Sequence, residues 1–521
     1  MKTSLKSVLG SIPYTADLYD AIRRERPRTR YNLEQLAEHL PAAVEQVRSY
    51  AEQASKGKKL LLFATLHYWV EQAAMVGLTL RGLGHDVTIA YLPYADWRKP
   101  LNSFDLRRQD LYTRRVIVPA QDLMRVVSLL EVNQAVSLPE ELETAVRQVS
   151  THDTQYTLQI EEVDTISELF QLRMQRNMQA ARAALAFLQA NKPDVVLIPN
   201  GTITELGAVY HVARHLDIHT VTYEFNDQRE QVWIAQDDEV MRQHTDDLWA
   251  ARGNHKLTDE QRELIEELES ARMGAKAFGK SVRKWQDVET VGGEQIREEL
   301  GLDERPVILL ATNVLGDSLT LGRNLFARSM AAWIAETVRF LAGKPGVQLV
   351  MRVHPGERLT HGRSMVDVVN EALPSIPEHI HVIGPLEKVN TYDLMEFASL
   401  GLVYTTTTGM EMSMNGIPVI VCGDTHYAKR GFTLDPQNWG EYYDMLDSAI
   451  RDPKRLTQEQ VETAWEYAYR FFFEYPLSFP WRLMHFWKDL GIWPLDRVLS
   501  EEGQAEYRRT FDYLAGEPIK W

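Results

Sequence analysis

Short apolar runs that alternate with helix-patterned stretches are the feature that most constrains the fold of this chain. They form two series, at residues 59–65, 86–91, 194–199 and 220–223, and at 306–312, 347–351, 379–383, 400–404 and 417–421. Short apolar runs bounded by turn residues predict buried strands, and alternation with helices predicts the βαβ units of a parallel sheet. The two series therefore predict an α/β fold with two Rossmann-like domains.

The chain length favours the same division, because 521 residues exceed what one hydrophobic core supports. The predicted ranges are an N-terminal helical segment at 1–56, a first Rossmann-like domain with helical insertions at 57–300, a second at 301–455, and C-terminal helices at 456–521. We expect these last helices to pack back on the first domain. The charged, helix-patterned residues 100–190 have no predicted role.

Composition excludes several classes of protein. The formal net charge of −16 argues against nucleic-acid binding, which needs a basic surface. Peripheral contact with a membrane through a local basic patch stays open. The chain has no apolar leader segment and no apolar run of about 20 residues, so we expect no membrane span and a cytoplasmic location. The single cysteine, Cys422, excludes an intramolecular disulfide, and its strand-like neighbours favour a core position.

Polar residues follow two strands of the second series. One strand ends in Arg352 and His354, and another opens through Thr406–Thr408 and Gly409 onto a predicted helix that carries Glu411. Carboxyl ends of parallel strands bind ligands in open α/β sheets. Hydroxyl groups and unpaired N–H groups at a helix N-terminus suit a phosphate. These strand ends predict a nucleotide-sugar site.

The segment Gly-Met-Glu-Met-Ser-Met-Asn-Gly-Ile-Pro-Val-Ile at 409–420 resembles the glutamate, helix and Gly-x-Pro-Val-Ile segment of GT-B glycosyltransferases. In that family the glutamate holds the nucleotide ribose, since a carboxylate can accept both ribose hydroxyls. The resemblance implies that role for Glu411. The alternative is that Glu411 only stabilises the first turn of its helix.

The segment Arg-Val-His-Pro at 352–355 resembles the His-Pro motif of bacterial GT-B enzymes that use CMP-activated acidic sugars, and residues 350–433 look most like capsule polysaccharide biosynthesis proteins of the Kdo and sialyl type. The resemblance implies that His354 and the threonine row, which is Thr406–Thr408, contact the donor phosphate. Arg352 would neutralise a second phosphate or a sugar carboxylate, or pair with Glu357. The open alternative for His354 is a local hydrogen bond at the strand end. No specific family resembles the N-terminal half.

Two further loops belong to this resemblance. The loop 312–318 occupies the place of loops that reach the diphosphate in GT-B folds, which makes Asn313 and Ser318 candidates. Lys429 and Arg430, after the strand at 417–421, suit a phosphate or a carboxylated sugar, with solvated surface charge as the alternative. The complete predicted nucleotide-binding set is Arg352, His354, Thr406, Thr407, Thr408, Gly409, Glu411 and Asn313.

Candidate catalytic groups follow strands of the first series. His67 and Glu71 come after its first strand, and Glu224 and Asp227 come at the end of another. An inverting transferase needs a base on the acceptor side. We therefore predict that His67, Glu224 or Asp227 faces the acceptor.

Motifs that are absent from the sequence shape the expected chemistry. No Asp-x-Asp follows an apolar strand, whereas GT-A transferases use that motif to hold a metal against the diphosphate. No Gly-x-Gly-x-x-Gly opens a helix, so the NAD and FAD fingerprint is missing. We predict no metal and no cofactor, with the nucleotide sugar as a substrate.

The predicted function is glycosyl transfer from a CMP- or UDP-linked donor to a glycan or lipid-linked acceptor. One alternative is a sugar-nucleotide epimerase of the same two-domain architecture. Another is a non-catalytic, GT-B-derived protein that binds a glycan or a nucleotide. Donor base, sugar, acceptor, stereochemistry and oligomeric state do not follow from the sequence.

Overall fold

The computed structural model describes residues 5–12, 14–132, 134–225, 230–274, 288–360 and 362–521. The strands are β1 (Lys59–Thr65), β2 (Asp86–Leu92), β3 (Arg125–Ser128), β4 (Val195–Pro199), β5 (His219–Phe225), β6 (Gln231–Gln236), β7 (Val307–Ala311), β8 (Gln348–Arg352), β9 (Ile380–Ile383), β10 (Ala398–Val403), β11 (Val419–Val421) and β12 (Leu477–Ser478). The helices are α1 (Leu5–Ser11), α2 (Thr15–Arg23), α3 (Glu34–Gln53), α4 (His67–Gly82), α5 (Ser103–Ile117), α6 (Glu140–Leu158), α7 (Glu168–Asn191), α8 (Thr204–His215), α9 (Asp246–Ala251), α10 (Asp259–Met273), α11 (Gly293–Glu299), α12 (Met330–Ala342), α13 (Met365–Ala372), α14 (Thr391–Met395), α15 (Thr408–Met414), α16 (Trp439–Arg451), α17 (Gln458–Tyr469), α18 (Phe486–Ile492), α19 (Leu495–Leu499) and α20 (Glu501–Leu514).

The chain divides into two compact units, whose boundaries differ from the predicted ranges. Unit 1 comprises Met1–Thr154, Asp164–Met241 and Pro476–Lys520, and unit 2 comprises Gln155–Val163, Arg242–Tyr475 and Trp521. Residues 242–300 thus belong with the second sheet rather than the first, because α10 packs on α17. The α17 helix itself packs on α15, where the Trp465 indole donates to the carbonyl of Met414 (3.0 Å).

The sheet of unit 1 has the strand order β12-β6-β5-β4-β1-β2-β3. Strands β1 to β5 pair in parallel, while β6 runs antiparallel to β5 and β12 antiparallel to β6. From β3 to β6 this is the strand order of a classic Rossmann fold. The chain order therefore reverses between β1 and β4.

The sheet of unit 2 is fully parallel, in the order β11-β10-β7-β8-β9. Its strands β7 and β8 are buried along their whole length, as the apolar run of β7 and the apolar middle of β8 predict. Cys422 follows β11 and is buried, as predicted. The reversal of chain order here lies between β7 and β10. The predicted fold class, α/β with two Rossmann-like domains, is confirmed by the two sheets.

Residues 476–520 complete the core of unit 1. Trp481, Leu495, Leu499 and Phe511 join the same buried cluster as α3 and α4. At Gly82 an added Cβ would lie 2.5 Å from Cδ1 of Leu499, so the glycine allows α19 to approach α4 closely. In the ranges that the structure describes, every helix is too short or too polar to cross a lipid bilayer.

Candidate functional site

The carboxyl edge of the unit 2 sheet has the geometry of a ligand site. The chain order reverses between β7 and β10. In open α/β sheets such a reversal is the position at which loops leave in opposite directions and ligands bind. Thr312 and Asn313 follow β7, and Thr405–Thr408 follow β10. His354 follows β8, which is the other neighbour of β7. The topology thus brings the predicted residues of three loops to one edge.

Side chains of the β7 loop tie these three loops together. The hydroxyl of Thr312 accepts a hydrogen bond from the backbone N–H of His354 (3.0 Å), and Oδ1 of Asn313 accepts from the N–H of Thr405 (3.1 Å). The predicted ligand residue Asn313 therefore has a positioning role as well. Thr312 was not predicted, although its place directly after a buried strand was a usable signal. We call Thr312, Asn313, His354, Thr406 and Thr408 the edge cluster.

His354 makes the local hydrogen bond that was the alternative to phosphate binding, through its ring atom Nδ1. Nδ1 accepts from the backbone N–H of Gly356 (2.9 Å). In the neutral ring the proton consequently lies on Nε2, which makes Nε2 a hydrogen-bond donor. A Cβ at position 356 would lie 2.9 Å from Nδ1, so the glycine permits this contact. The local hydrogen bond is therefore present, and the contact of His354 with a donor phosphate stays a prediction.

Some polar groups of the threonine row are already hydrogen-bonded to one another. The Thr406 hydroxyl accepts from the N–H of Thr408 (3.3 Å) and lies 3.1 Å from the Thr408 hydroxyl. Thr407 is the N-cap of α15 and makes no side-chain cap bond. Gly409 packs where a Cβ would collide with the Tyr427 hydroxyl, which donates to the Thr406 carbonyl (2.6 Å). Fewer N–H groups are therefore open to a phosphate than the sequence predicts.

Glu411 lies in a buried triad. Its Oε1 accepts from the guanidinium of Arg272 and its Oε2 from the hydroxyl of Tyr392 (3.0 Å), while Glu411 itself is 3% exposed. Both carboxylate oxygens thus accept from protein donors, and the carboxylate joins α15 to α10 and α14. In this arrangement Glu411 does not offer both oxygens to a ribose, although that is the role that the resemblance implied for it. Arg272 lies 139 residues away in sequence, which hid the triad from sequence reasoning.

Arg352 is directed to backbone carbonyls. Its guanidinium donates to the carbonyls of Gly384 (2.6 Å) and Glu387 (3.2 Å), after β9. Burial lowers the pKa of Arg352 to about 10. The alternative pairing with Glu357 is wrong, since that carboxylate accepts from the Ser364 hydroxyl and the Met365 N–H at the start of α13. Arg352 holds the β9 loop rather than presenting its charge at the edge.

Two of the predicted catalytic residues lie at the carboxyl edge of the unit 1 sheet. Leu62 pairs with Leu197 and Pro199 with Tyr223, so Thr65, Asn200 and Glu224 end three neighbouring strands at the same level. His67 begins α4 two residues after Thr65. This edge contains the reversal of chain order between β1 and β4, which is the position of a ligand site in such sheets. Asp227 lies outside the described residues.

Burial shifts the pKa values of His67 and Glu224. Burial lowers the pKa of the His67 imidazole, which is therefore neutral at neutral pH. Burial raises the pKa of Glu224, although Asn200 donates to its Oε2 (3.0 Å) and the Phe225 N–H to its Oε1 (3.0 Å). A neutral imidazole and a carboxylate of raised pKa are groups that can accept a proton near neutral pH.

Backbone strain and unpaired polar atoms collect at this same edge. Leu66, Asn200 and the β-branched Thr204 have φ values of 63°, 60° and 56°. Such conformations are rare for residues with a Cβ and cluster at functional sites. Among the described residues no hydrogen-bond partner exists for four buried atoms here, namely Thr65 Oγ1, His67 Nδ1, Gln72 Nε2 and Thr202 Oγ1. Thr65 and Gln72 were not predicted, because neither residue type stands out in an apolar strand or helix.

The residues after β11 line a separate cavity of about 190 Å³ in unit 2. Lys429 and Arg430 are part of its wall, together with Arg323 and Asp435. Arg430 donates to the Thr245 hydroxyl (3.2 Å) and pairs with Asp246. The alternative of purely solvated charge is therefore wrong for Arg430.

No model of a protein family and no curated protein matches the chain. Among solved structures, it is similar to KpsC, a beta Kdo 2,4 transferase of Thermosulfurimonas dismutans, with 16% identity and a TM-score of 0.34 over 52% of this chain and 79% of that chain. It is also similar to a UDP-GlcNAc 2-epimerase from Neisseria meningitidis bound to UDP-GlcNAc, with 14% identity and a TM-score of 0.26 over 79% of this chain and 95% of that chain. With TM-scores this low, the fold class rests on the strand order and register of the two sheets.

Proposed function

We propose that this chain is a glycosyltransferase that takes a sugar from a CMP- or UDP-linked donor bound at the carboxyl edge of the unit 2 sheet. The observation that carries the proposal is the edge cluster, in which loops from three neighbouring strands are hydrogen-bonded to one another at the reversal of chain order. Preorganised donors at such an edge suit the diphosphate or phosphate of a nucleotide.

We assign each residue of the edge cluster a role in binding the donor nucleotide. Nε2–H of His354 and the hydroxyl of Thr408 donate to phosphate oxygens, and the Thr406 hydroxyl joins them when it releases its bond to Thr408. Thr312 and Asn313 fix the loops that carry these residues. Lys429 and Arg430 line the cavity beside β11, the neighbour of β10, and supply positive charge for a phosphate or a sugar carboxylate. Arg352 acts through the β9 loop.

A ribose role for Glu411 requires one of its two protein donors to be replaced by the ribose hydroxyls. Its contacts with Arg272 and Tyr392 support a different part, in which Glu411 fixes the position of α15 and so of the threonine row. We assign Glu411 this positioning role.

Unit 1 supplies the acceptor side in this proposal. A glycan or lipid-linked acceptor needs a group that takes the proton of its attacking hydroxyl. His67, neutral because of its burial, and Glu224, whose pKa is raised by burial, are the described candidates. His67→Ala and Glu224→Gln are expected to lower the transfer rate about 100-fold or more, the usual contribution of a general base, with unchanged donor affinity.

The decisive first experiment is a thermal-shift screen with CMP, CDP, UMP, UDP and GDP. A bound nucleotide raises the melting temperature of the native protein. We expect one base to give a shift that His354→Ala abolishes. His381→Ala is the matched control, since His381 lies on β9 of the same sheet. No shift with any nucleotide, or a full shift in His354→Ala, would refute the donor site.

Two assays separate this function from its alternatives. A transferase consumes the matching sugar nucleotide only with an acceptor, whereas an epimerase isomerises the sugar nucleotide alone. Affinity without turnover across an acceptor panel would indicate a binding protein. Because the sequence has no Asp-x-Asp motif, we expect transfer to continue in EDTA; a loss of activity that Mg²⁺ or Mn²⁺ restores would contradict metal-independent transfer.

A further inference from the structure

The helix α2 of unit 1 carries large apolar side chains on its outer surface. Tyr14, Leu18 and Ile22 are 82%, 65% and 72% exposed, and Ile12, just before them, is 51% exposed. Residues four apart lie on the same face of a helix, so Leu18 and Ile22 share one face of α2, and Tyr14 is the exposed N-cap residue directly before it. We call these four residues the apolar stripe.

The opposite face of α2 is fixed to α5. Asp17 pairs with Arg107 (2.7 Å), Asp20 pairs with Arg115 (2.5 Å), and the Tyr19 ring lies under the guanidinium of Arg108 (4.6 Å). These contacts neutralise the acidic residues of α2 on its inner side. They also hold the apolar stripe outward, because turning it inward would break both ion pairs.

An arginine run continues directly from the apolar stripe. Residues 22–30 contain five arginines and one glutamate, a formal charge of +4 in a chain whose net charge is −16. All five arginines are exposed. Three of them have acidic partners, Arg23 with Glu25 (3.8 Å), Arg26 with Glu34 (2.8 Å) and Arg30 with Asp96 (3.5 Å), all at the surface, where such pairs are weak.

We propose that the apolar stripe and the arginine run form a docking surface for an anionic phospholipid membrane. Apolar side chains of an interfacial helix enter the boundary between headgroups and acyl chains, and flanking arginines attract anionic headgroups. The charge distribution favours this occupant, because a patch of formal charge +4 in a chain of net charge −16 is attracted by an anionic surface that repels the acidic remainder of the chain. The inference is independent of the donor site.

A protein partner fits the patch less well. A stable protein interface takes about 20–30 residues from each side. The apolar stripe offers four apolar side chains, two on α2 and two just before it, flanked by a dense run of like charge. Partial insertion of a few side chains with charge attraction is the mode of a peripheral membrane contact.

The test is flotation of the full chain with vesicles of phosphatidylcholine alone and of phosphatidylcholine mixed with phosphatidylserine. We expect binding to the mixed vesicles only, weakening as salt is raised. Arg24→Gln with Arg28→Gln is expected to lower the partition coefficient roughly 25-fold, about five-fold for each arginine. Leu18→Ser with Ile22→Ser is expected to lower it roughly ten-fold or more.

Matched controls use equally exposed residues elsewhere. Ile166→Ser, at a position 84% exposed in unit 1, and Arg455→Gln, exposed in unit 2, should bind like the unaltered protein. Melting curves verify that each variant is folded. A second readout uses Tyr14→Cys with an environment-sensitive dye, which labels this site selectively because Cys422 is buried. The dye emission should shift to the blue with mixed vesicles.

Three results would overturn the proposal. These are no binding to the mixed vesicles, equal binding by the stripe and control variants, or a dimer that Leu18→Ser with Ile22→Ser converts to a monomer while vesicle binding is absent throughout. The last result would make the patch an interface between copies of this chain.

Discussion

At the scale of single residues, the proposal assigns one ring nitrogen of His354 to structure and the other to nucleotide binding. Nδ1 is used by the N–H of Gly356, and Nε2 is the donor that the proposal gives to a phosphate. A shorter side chain that still accepts from the Gly356 N–H, but has no donor at the position of Nε2, separates the structural use from the proposed binding use.

The His354→Asn variant makes that separation. Its Oδ1 can still accept from Gly356, so the melting temperature should stay close to that of the unaltered protein. Loss of the Nε2 donor should weaken nucleotide binding roughly 10- to 100-fold, since a hydrogen bond to a charged group contributes about 1.5–3 kcal/mol. Calorimetric titration measures the affinity. A drop in melting temperature with unchanged affinity would mean that His354 is structural only.

Glu71, on α4, gives a residue-scale prediction of pH dependence. Burial raises the pKa of Glu71 to about 7, against a hydrogen bond from the Trp487 indole that lowers it. The folded state therefore keeps a proton that the unfolded chain loses near its ordinary pKa of 4.5. The stability that this proton provides is complete below pH 4.5 and is lost as the pH rises through 7.

The Glu71→Gln variant cannot ionise, so it escapes this loss. Relative to the unaltered protein, it should gain about 2–3 kcal/mol in the free energy of unfolding between pH 4.5 and pH 7.5. Denaturant titrations at several pH values measure the difference. A difference that does not change with pH would show that Glu71 is ionised throughout.

At the scale of elements, the sequence predicted what is locally encoded. The buried strands β1, β7 and β8 are mostly apolar runs and were found. The edge strands β3 and β12, and β6 beside β12, are short or partly polar and were missed. The contacts that fix element positions come from distant parts of the chain. Glu161 accepts from the N–H groups of Met330 and Ala331 and so caps α12 from 169 residues away.

The Arg272–Glu411–Tyr392 triad is the clearest such long-range contact. Arg272→Ala would leave a buried carboxylate without its cationic partner, so we expect a loss of about 3–5 kcal/mol in stability. Arg262→Ala on the same helix breaks a half-exposed pair with Glu462 and should cost about 1 kcal/mol or less. Chemical denaturation measures both variants. Equal, small losses would show that the triad does not fix α15.

At the scale of the whole molecule, both sheets repeat one design. Each has its chain reversal beside the first strand, β1 in unit 1 and β7 in unit 2, and each collects polar residues at that edge. This repetition followed from the two series of apolar runs. The unit boundaries did not follow from the sequence, because the polar pattern of the helices in 242–300 does not indicate to which unit they belong.

For the candidate site, too, the sequence predicted the locally encoded features and not the long-range contacts. The residue types and strand ends of His354, Asn313 and the threonine row were visible in the sequence. The partners that occupy Glu411 and Arg352 were not, since the side chain of Arg272 and the carbonyls of the β9 loop meet them only in the folded protein.

The most direct test of the central claim is a crystal structure of the protein with the nucleotide selected by the thermal-shift screen. We expect phosphate oxygens about 2.7–3.2 Å from Nε2 of His354 and from the hydroxyl of Thr406 or Thr408. A nucleotide bound elsewhere, with the edge cluster untouched, would refute the donor site.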